Sequence, residues 1–594
     1  MNLKKFKFTY LFVFLLLISV MNPILLSSTP INSINPAFGA YAKAPISPFG
    51  PSVSDENLTV EKVVDGLDIP TSMAFLNQNE ILVTEKETGK VRLIVNGQLQ
   101  ETPILDVSVA NSIERGLLGI AISNQEQSDG GKTFVFISFT ESGNDKDGSD
   151  LEDNVEPDGN RLYHYELLNG QLTNPVLLLD LTATPPNDRG EHNGGKIRIG
   201  PDNNVYFMVG EVGGHRTQAQ NIEDGPEPNG LGGVLRITQD GDVVNDNISP
   251  IFGNEIPLSL YYAMGIRNSF GMDFDPLTGF LWDTENGPDT GDEINLVYPG
   301  FNSGWAQVQG FMDDNLLTRE NTPTIEDLVY FGKSKYADPK FSWEWPIGIT
   351  ALKFLTSDKL GKEYQNDMFV GDINNGLLYR FSLNEDRNNI ILDSTYSGNL
   401  QALQDNRIQN PKENLPLIFG QGFGGITDIQ VGPDGYLYVL SYEGSLYKIL
   451  PLSEKTDNSI SSSQANNLPP VPSEEEEEED ARIETEDITG QPLDDINNSR
   501  SNSVPVAIIG INGSKSYSPD PIEIEEGQTI TWYNGDSISH TVTSGEDNDS
   551  DAGSVFDSDA IIPNQYYSIT FDESGDYTYY CIYHPLMVGE VMVN

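Results

Sequence analysis

An all-β protein in two folded parts is the architecture that this sequence predicts. Three observations carry it: short Val, Ile, Thr and Tyr runs lie between Gly, Asp and Asn clusters, similar strand–turn–strand units recur, and the composition changes abruptly after Leu450. The length points the same way. At 594 residues the chain exceeds what one hydrophobic core fills, roughly 250–300 residues.

The first part runs from residue 58 to 452. Its clearest repeat pairs Ile199-Gly200-Pro201-Asp202-Asn203-Asn204-Val205-Tyr206-Phe207 with Val431-Gly432-Pro433-Asp434-Gly435-Tyr436-Leu437-Tyr438-Val439. Looser copies run from Met73 to Thr84 and from Met272 to Asp283. Each turn reverses the chain tightly, as a hairpin needs. One such turn indicates only a hairpin, but the pattern over this length predicts four-stranded blades around a central channel, a β-propeller, with six blades the best fit.

Residues 453–503 read as an acidic, disordered linker: Ser-rich from Ser459, Pro-rich at Pro469 to Pro472, then an unbroken acidic run from Glu474 to Asp480. The second part, 504–594, alternates as a β-sandwich does, in Ile522 to Glu525, Thr529 to Trp532 and Tyr577 to Tyr580. At the N-terminus, residues 1–44 read as a signal peptide or an uncleaved anchor: Lys4, Lys5 and Lys7 precede the apolar run Phe8 to Met21, and small residues follow at Ala40 to Ala44. The expectation is an extracytoplasmic protein, secreted or tethered to the membrane at its N-terminus. A formal charge of −55 excludes nucleic-acid partners, whose phosphates the surface would repel. A single cysteine, Cys581, excludes an internal disulfide.

That cysteine belongs to the most specific motif in the chain. Cys581-Ile582-Tyr583-His584-Pro585-Leu586-Met587 follows a predicted strand, and His540 stands upstream in Ser537-Ile538-Ser539-His540-Thr541-Val542-Thr543. Two imidazoles and a thiolate in one plane, with a weak axial thioether, suit copper in electron transfer. A binuclear centre would need a second thiolate, and a multicopper centre more imidazoles than five histidines supply, leaving a mononuclear type 1 site. The segment resembles the plastocyanin and halocyanin family of blue copper proteins, a cupredoxin fold, and the resemblance implies His540, Cys581, His584 and Met587 as ligands.

In the first part, His192 stands on the Gly-rich loop Gly190-Glu191-His192-Asn193-Gly194-Gly195-Lys196, before a predicted strand. A neutral imidazole there is suited to accept a proton. Glu114-Arg115-Gly116-Leu117-Leu118-Gly119, Gly265-Ile266-Arg267-Asn268, Glu285-Asn286-Gly287-Pro288, Gly291-Asp292-Glu293-Ile294-Asn295 and Asn302-Ser303-Gly304-Trp305 follow in one order, and in that order they resemble the soluble glucose/sorbosone (aldose sugar) dehydrogenases that use pyrroloquinoline quinone. The resemblance implies His192 as catalytic base and Arg267 as the group that polarises the quinone oxygens. It implies cofactor contacts from Glu114, Arg267, Asn268, Asn374 and Thr427, and Ca²⁺ held by Gly287, Pro288 and Glu293. This chain departs from the family at Glu114, where Gln is usual, at Asn374, where a Lys occurs, and at Gly425 and Thr427, where paired arginines occur.

Two functions remain open on sequence alone. The first is an oxidoreductase that oxidises a sugar or alcohol and passes electrons to its own copper, then to a downstream redox protein. The second is a propeller that binds a carbohydrate or a partner without catalysis and displays a copper protein.

Overall fold

The structure is a computed structural model. It describes residues 50–455 apart from 124–131, 153, 185–189, 289, 315–323, 393–405 and 409–415. Beyond these it describes 503–508, 516–534, 540–545, 552–558, 561, 566–571, 573–582, 584 and 587–594. The expected export segment and all of the expected linker except residues 453–455 and 503 lie outside the described residues. Among the described residues no helix is long and apolar enough to cross a membrane.

Between residues 52 and 451 the described strands form six sheets. Their innermost strands are Pro70–Asn77, Leu117–Ile122, Ile197–Ile199, Gly271–Phe274, Ile349–Phe354 and Ile426–Val431. Each packs beside the next in chain order, and Ile426–Val431 packs back against Pro70–Asn77, so the ring is closed. The N-terminal strand Leu58–Val64 pairs antiparallel with Ser445–Pro451 and becomes the outermost strand of the sixth blade, so the last blade is built from both ends of the domain. The all-β, six-bladed expectation holds.

The quoted repeats are the inner hairpins of the first, third, fourth and sixth blades. The two closest copies superpose in detail: Tyr206 donates to Asp202 at 3.0 Å, and Tyr438 donates to Asp434 at 2.8 Å. Blades stick through apolar side chains on both sheet faces, such as Phe136, Phe207 and Leu235 in one inter-blade cluster and Trp282, Trp343, Tyr379 and Phe381 in another, all buried. Apolar packing leaves the inner strands free to carry polar residues into the channel. There Lys196, Arg198, Asp273, Lys353 and Asp428, from four different blades, form a buried ionic network.

The second part is a sandwich of two four-stranded sheets. One orders Tyr517–Ser518, Ser503–Ile508, Gln528–Asn534 and Tyr566–Phe571; the other orders Ile522–Ile524, Val588–Val593, Gly575–Tyr580 and Thr543–Ser544. Alternation sends Ile530 and Trp532 inward from one sheet and Tyr579 from the other, and Trp532 meets Tyr579 edge-on at 5.4 Å. Cys581 and Met587 belong to this same core.

Candidate copper centre and propeller site

The copper residues come from three places on the sandwich. His540 pairs with Ile561 through an isolated bridge, Cys581 follows the strand Gly575–Tyr580, and His584 and Met587 lie on the loop that leads to Val588–Val593. Backbone bonds from His584 N–H to Cys581 O (3.0 Å), from Met587 N–H to His584 O (2.8 Å) and from Cys581 N–H to Met587 O (3.0 Å) tie the three residues to one another. The result is a triangle: His540 Nδ1 to His584 Nδ1 3.1 Å, Cys581 Sγ to His584 Nδ1 3.4 Å, Cys581 Sγ to His540 Nδ1 3.7 Å. Metal–imidazole bonds of ~2 Å at 120° place two nitrogens about 3.5 Å apart, so the triangle has room for one ion in its plane. Among the described residues it is the only group of three or more His, Cys, Asp or Glu ligand atoms this close.

The thiol is prepared for a metal. Burial pushes Cys581 up, but hydrogen bonds with His540, His584 and the Thr541 N–H outweigh it and bring the group down to about 5. Thr541 itself ties the ligand loops together: its N–H reaches Cys581 Sγ at 3.3 Å and its Oγ1 accepts from Ile582 N–H at 2.8 Å. The soft thiolate and two imidazoles fit a copper ion. Met587 is fully buried beside them in the core.

The propeller site assembles at the end of the channel where the inner strands begin. His192 sits just before Ile197–Ile199 with φ of 61°, a left-handed conformation uncommon for a residue with a side chain. Its loop lies so close to the next strand that a Cβ on Gly210 would come 2.3 Å from His192 O. Glycine is required at 210. His192 Nδ1 faces Glu211 Oε1 at 3.1 Å, while Nε2 is buried with no hydrogen-bond partner. Burial would raise Glu211, but His192, Trp305 and Arg216 hold its carboxyl below the ordinary range. An ionised Glu211 therefore keeps the proton on Nδ1 and leaves the Nε2 lone pair exposed to the site, the arrangement of a general base.

Glu114 is the hub beneath. Its Oε2 accepts from the His192 N–H (2.6 Å), the Asn193 N–H (3.3 Å) and Asn268 Nδ2 (3.0 Å), while its Oε1 is buried without a partner. Because Asn268 Nδ2 is committed to Glu114, its Oδ1 is left as an acceptor, also buried and without a partner. Arg267 lies 5.4 Å above the Trp305 ring, and its Nη1 donates to the carbonyls of Asn286 (3.0 Å) and Gly287 (2.9 Å). Desolvation lowers its guanidinium below the usual value.

The other implied residues are placed differently. Asn374 is exposed. The Thr427 hydroxyl faces Leu440 O at 3.4 Å within its own blade. The Gly425 N–H donates to Glu443 at 2.8 Å, so a carboxylate stands against the backbone where the family carries cations. Lys196 is committed to Asp428 at 2.5 Å. As arranged, Gly287 offers its oxygen to a guanidinium, and Glu293 accepts from Gln309 and Gly310 N–H while burial raises its carboxyl well above the ordinary range. Pro288 is half-buried. Ca²⁺ at Gly287, Pro288 and Glu293 stays an expectation of the resemblance. Glu211 is the residue that sequence reasoning passed over, although a carboxylate directly after the apolar strand Val205–Val209 and its Gly210 turn was a usable sign.

Comparison with known proteins bears on both parts. The model of the Glucose / Sorbosone dehydrogenase family matches residues 67–448. The chain belongs to that family. Residues 505–594 match the copper binding proteins of the plastocyanin/azurin family. Quinoprotein glucose dehydrogenase B of Acinetobacter calcoaceticus is 31% identical over 316 residues, covering 49% of this chain and 63% of that protein. Amicyanin of Paracoccus versutus is 35% identical over 92 residues, 15% of this chain and 64% of that protein. Each match thus spans somewhat less than two thirds of the relative. A solved glucose dehydrogenase shares the propeller fold at 23% identity and a TM-score of 0.50, covering 66% of this chain and 98% of that one.

Proposed function

We propose that the chain is an extracytoplasmic quinoprotein-type sugar or alcohol dehydrogenase whose electrons leave through its own type 1 copper. One observation carries the reading: His192 Nε2, Glu114 Oε1 and Asn268 Oδ1 are three acceptors buried around one hub with no donor among the described residues. Buried acceptors left unpaired are costly. A ligand rich in hydroxyl donors, such as a sugar, satisfies all three at once.

His192 takes the proton of the hydroxyl being oxidised on Nε2, and Glu211 stabilises the imidazolium that results. Glu114 fixes the His192 backbone, so the base does not drift from its partner. Arg267 stands buried with a charge; among the described residues its Nε and Nη2 meet no acceptor, which suits them to oxygens that gain charge as the substrate loses hydride. Pyrroloquinoline quinone, when bound there, supplies the two-electron acceptor. Lys196 is bonded to Asp428 and Gly425 brings no cation, so much of the pairing with its carboxylates falls to Arg267. Copper supplies a one-electron acceptor, used twice per sugar. The 47 residues between Lys455 and Ser503, if coil-like, span roughly 40 Å, giving the copper domain a millimolar-scale effective concentration at its donor, about the level of short flexible linkers.

The test is an anaerobic one: the copper-loaded chain is reconstituted with pyrroloquinoline quinone and offered aldoses. Bleaching of the copper absorption that requires both sugar and quinone supports the reading. Persistent colour with no quinone uptake supports a carbohydrate- or partner-binding propeller instead.

A further inference from the structure

The propeller site has a polar gradient that leads out of the protein. From the buried His192 the hydrogen bonds run to Glu211 Oε1, and from Glu211 Oε2 to Trp305 Nε1 at 2.9 Å and Arg216 Nε at 3.3 Å. Exposure rises at the end of that path. The side chains of His192 and Glu211 are 7% and 1% exposed, whereas that of Arg216 is 49% exposed. Arg216 is also fixed from a second side, its guanidinium carbon 4.9 Å from the centre of the Trp305 ring.

Its donors are divided between the two directions. Nε is spent on Glu211, and among the described residues Nη1 and Nη2 meet no acceptor. A guanidinium held at Nε and stacked on an indole keeps its terminal Nη pair as a flat two-donor fork, the geometry that matches a carboxylate. One carboxylate, Glu211, contacts both the base and the Nε that anchors this fork, so the two lie within a single sugar's reach of each other. We propose that Arg216 is a specificity-determining residue that selects sugars carrying a carboxylate, uronic acids, over neutral sugars at this site.

This rests on the dehydrogenase reading above and deepens it. The acid is bound at the end of the sugar remote from the hydroxyl that is oxidised, so His192 keeps its role unchanged. The same fork suits a carboxylate of the quinone, and the experiment separates the two sources.

The copper- and quinone-loaded full chain and its Arg216→Gln and Arg216→Lys variants are assayed with glucuronate and with glucose, and quinone affinity is measured for each by absorbance titration. The expected result is a wild-type preference for glucuronate in kcat/KM that falls about tenfold in Arg216→Gln, mostly through KM, is partly kept in Arg216→Lys, and weakens as salt rises. An equal loss for both sugars overturns the proposal and leaves Arg216 as a positioning residue of Glu211. Weakened quinone binding with an unchanged sugar ratio also overturns it, assigning the fork to the cofactor. Glucose oxidation without any preference for glucuronate in the wild type refutes the substrate class alone, whereas no oxidation of either sugar refutes the dehydrogenase reading itself.

Discussion

Replacing Glu211 with Gln leaves an amide of nearly the same shape opposite His192 but removes the charge that stabilises an imidazolium. The magnitude follows from the 3.1 Å separation of Nδ1 and Oε1. Unit charges that far apart interact by about 5 kcal/mol at an effective dielectric of about 20 and by about 1 kcal/mol in water. Both groups are almost fully buried, which favours the upper part of that interval. Sharing of Glu211 with Trp305 and Arg216 pulls the value down. A loss of about 3 kcal/mol corresponds to a fall of roughly 10²-fold in the rate of sugar oxidation. The assay is single-turnover reduction of the quinone-loaded chain by a saturating aldose, with quinone affinity and thermal melting recorded for the same sample. The fall should appear in the chemical step and spare quinone affinity. A rate within twofold of the wild type, in a variant that binds quinone and melts normally, refutes His192 as a base oriented by Glu211.

Other outcomes follow from the same geometry. Cys581→Ser should abolish both copper uptake and visible colour, since the remaining imidazoles supply no thiolate, whereas Met587→Leu should keep the colour and raise the potential measured by redox titration. Arg267→Gln should cost on the order of 10²–10³ in the rate of quinone reduction, read in the same single-turnover assay. Asp428 accepts from Lys196, Ser72 and the Met73 N–H, so Asp428→Asn should cost roughly 3–5 kcal/mol in chemical denaturation by stranding a buried ammonium. Burial alone would raise Asp428, but Lys196 and Arg198 hold its carboxyl below the ordinary carboxylate range. A depressed folded pKa means that the stabilisation is fully present above about pH 4 and is lost as pH falls through the lower folded value. Melting of the wild type should therefore drop more steeply below pH 4 than melting of the Asn variant.

The copper motif was legible because its three residue types are scarce in this chain and three of its four residues sit within seven positions of each other. The position of His540 was less so, for its approach to Cys581 depends on the bridge to Ile561 and on Thr541 joining two loops, contacts that no local pattern announces. Hairpin turns revealed the blades, since Asp202 and Asp434 repeat the same bond to a tyrosine four residues on in the same hairpin. The closing strand Leu58–Val64 carries no such sign, because its partner lies at the far end of the domain. In the propeller site, His192 and Arg267 were readable from motifs, but their hydrogen bonds were not. Glu211 acquires its role only when Gly210 lets the His192 loop fold against its strand. At Gly287, likewise, spacing showed the carbonyl but not the guanidinium bonded to it.

The claim that joins the two parts is that both electrons of one oxidised sugar reach copper within the same chain. Stopped-flow bleaching of the copper absorption, recorded with quinone-loaded protein and saturating sugar over a hundredfold range of protein concentration, tests it directly. Intramolecular transfer gives a first-order rate that does not change on dilution. A rate that falls in proportion to protein concentration would place the electron transfer between separate molecules and contradict the account.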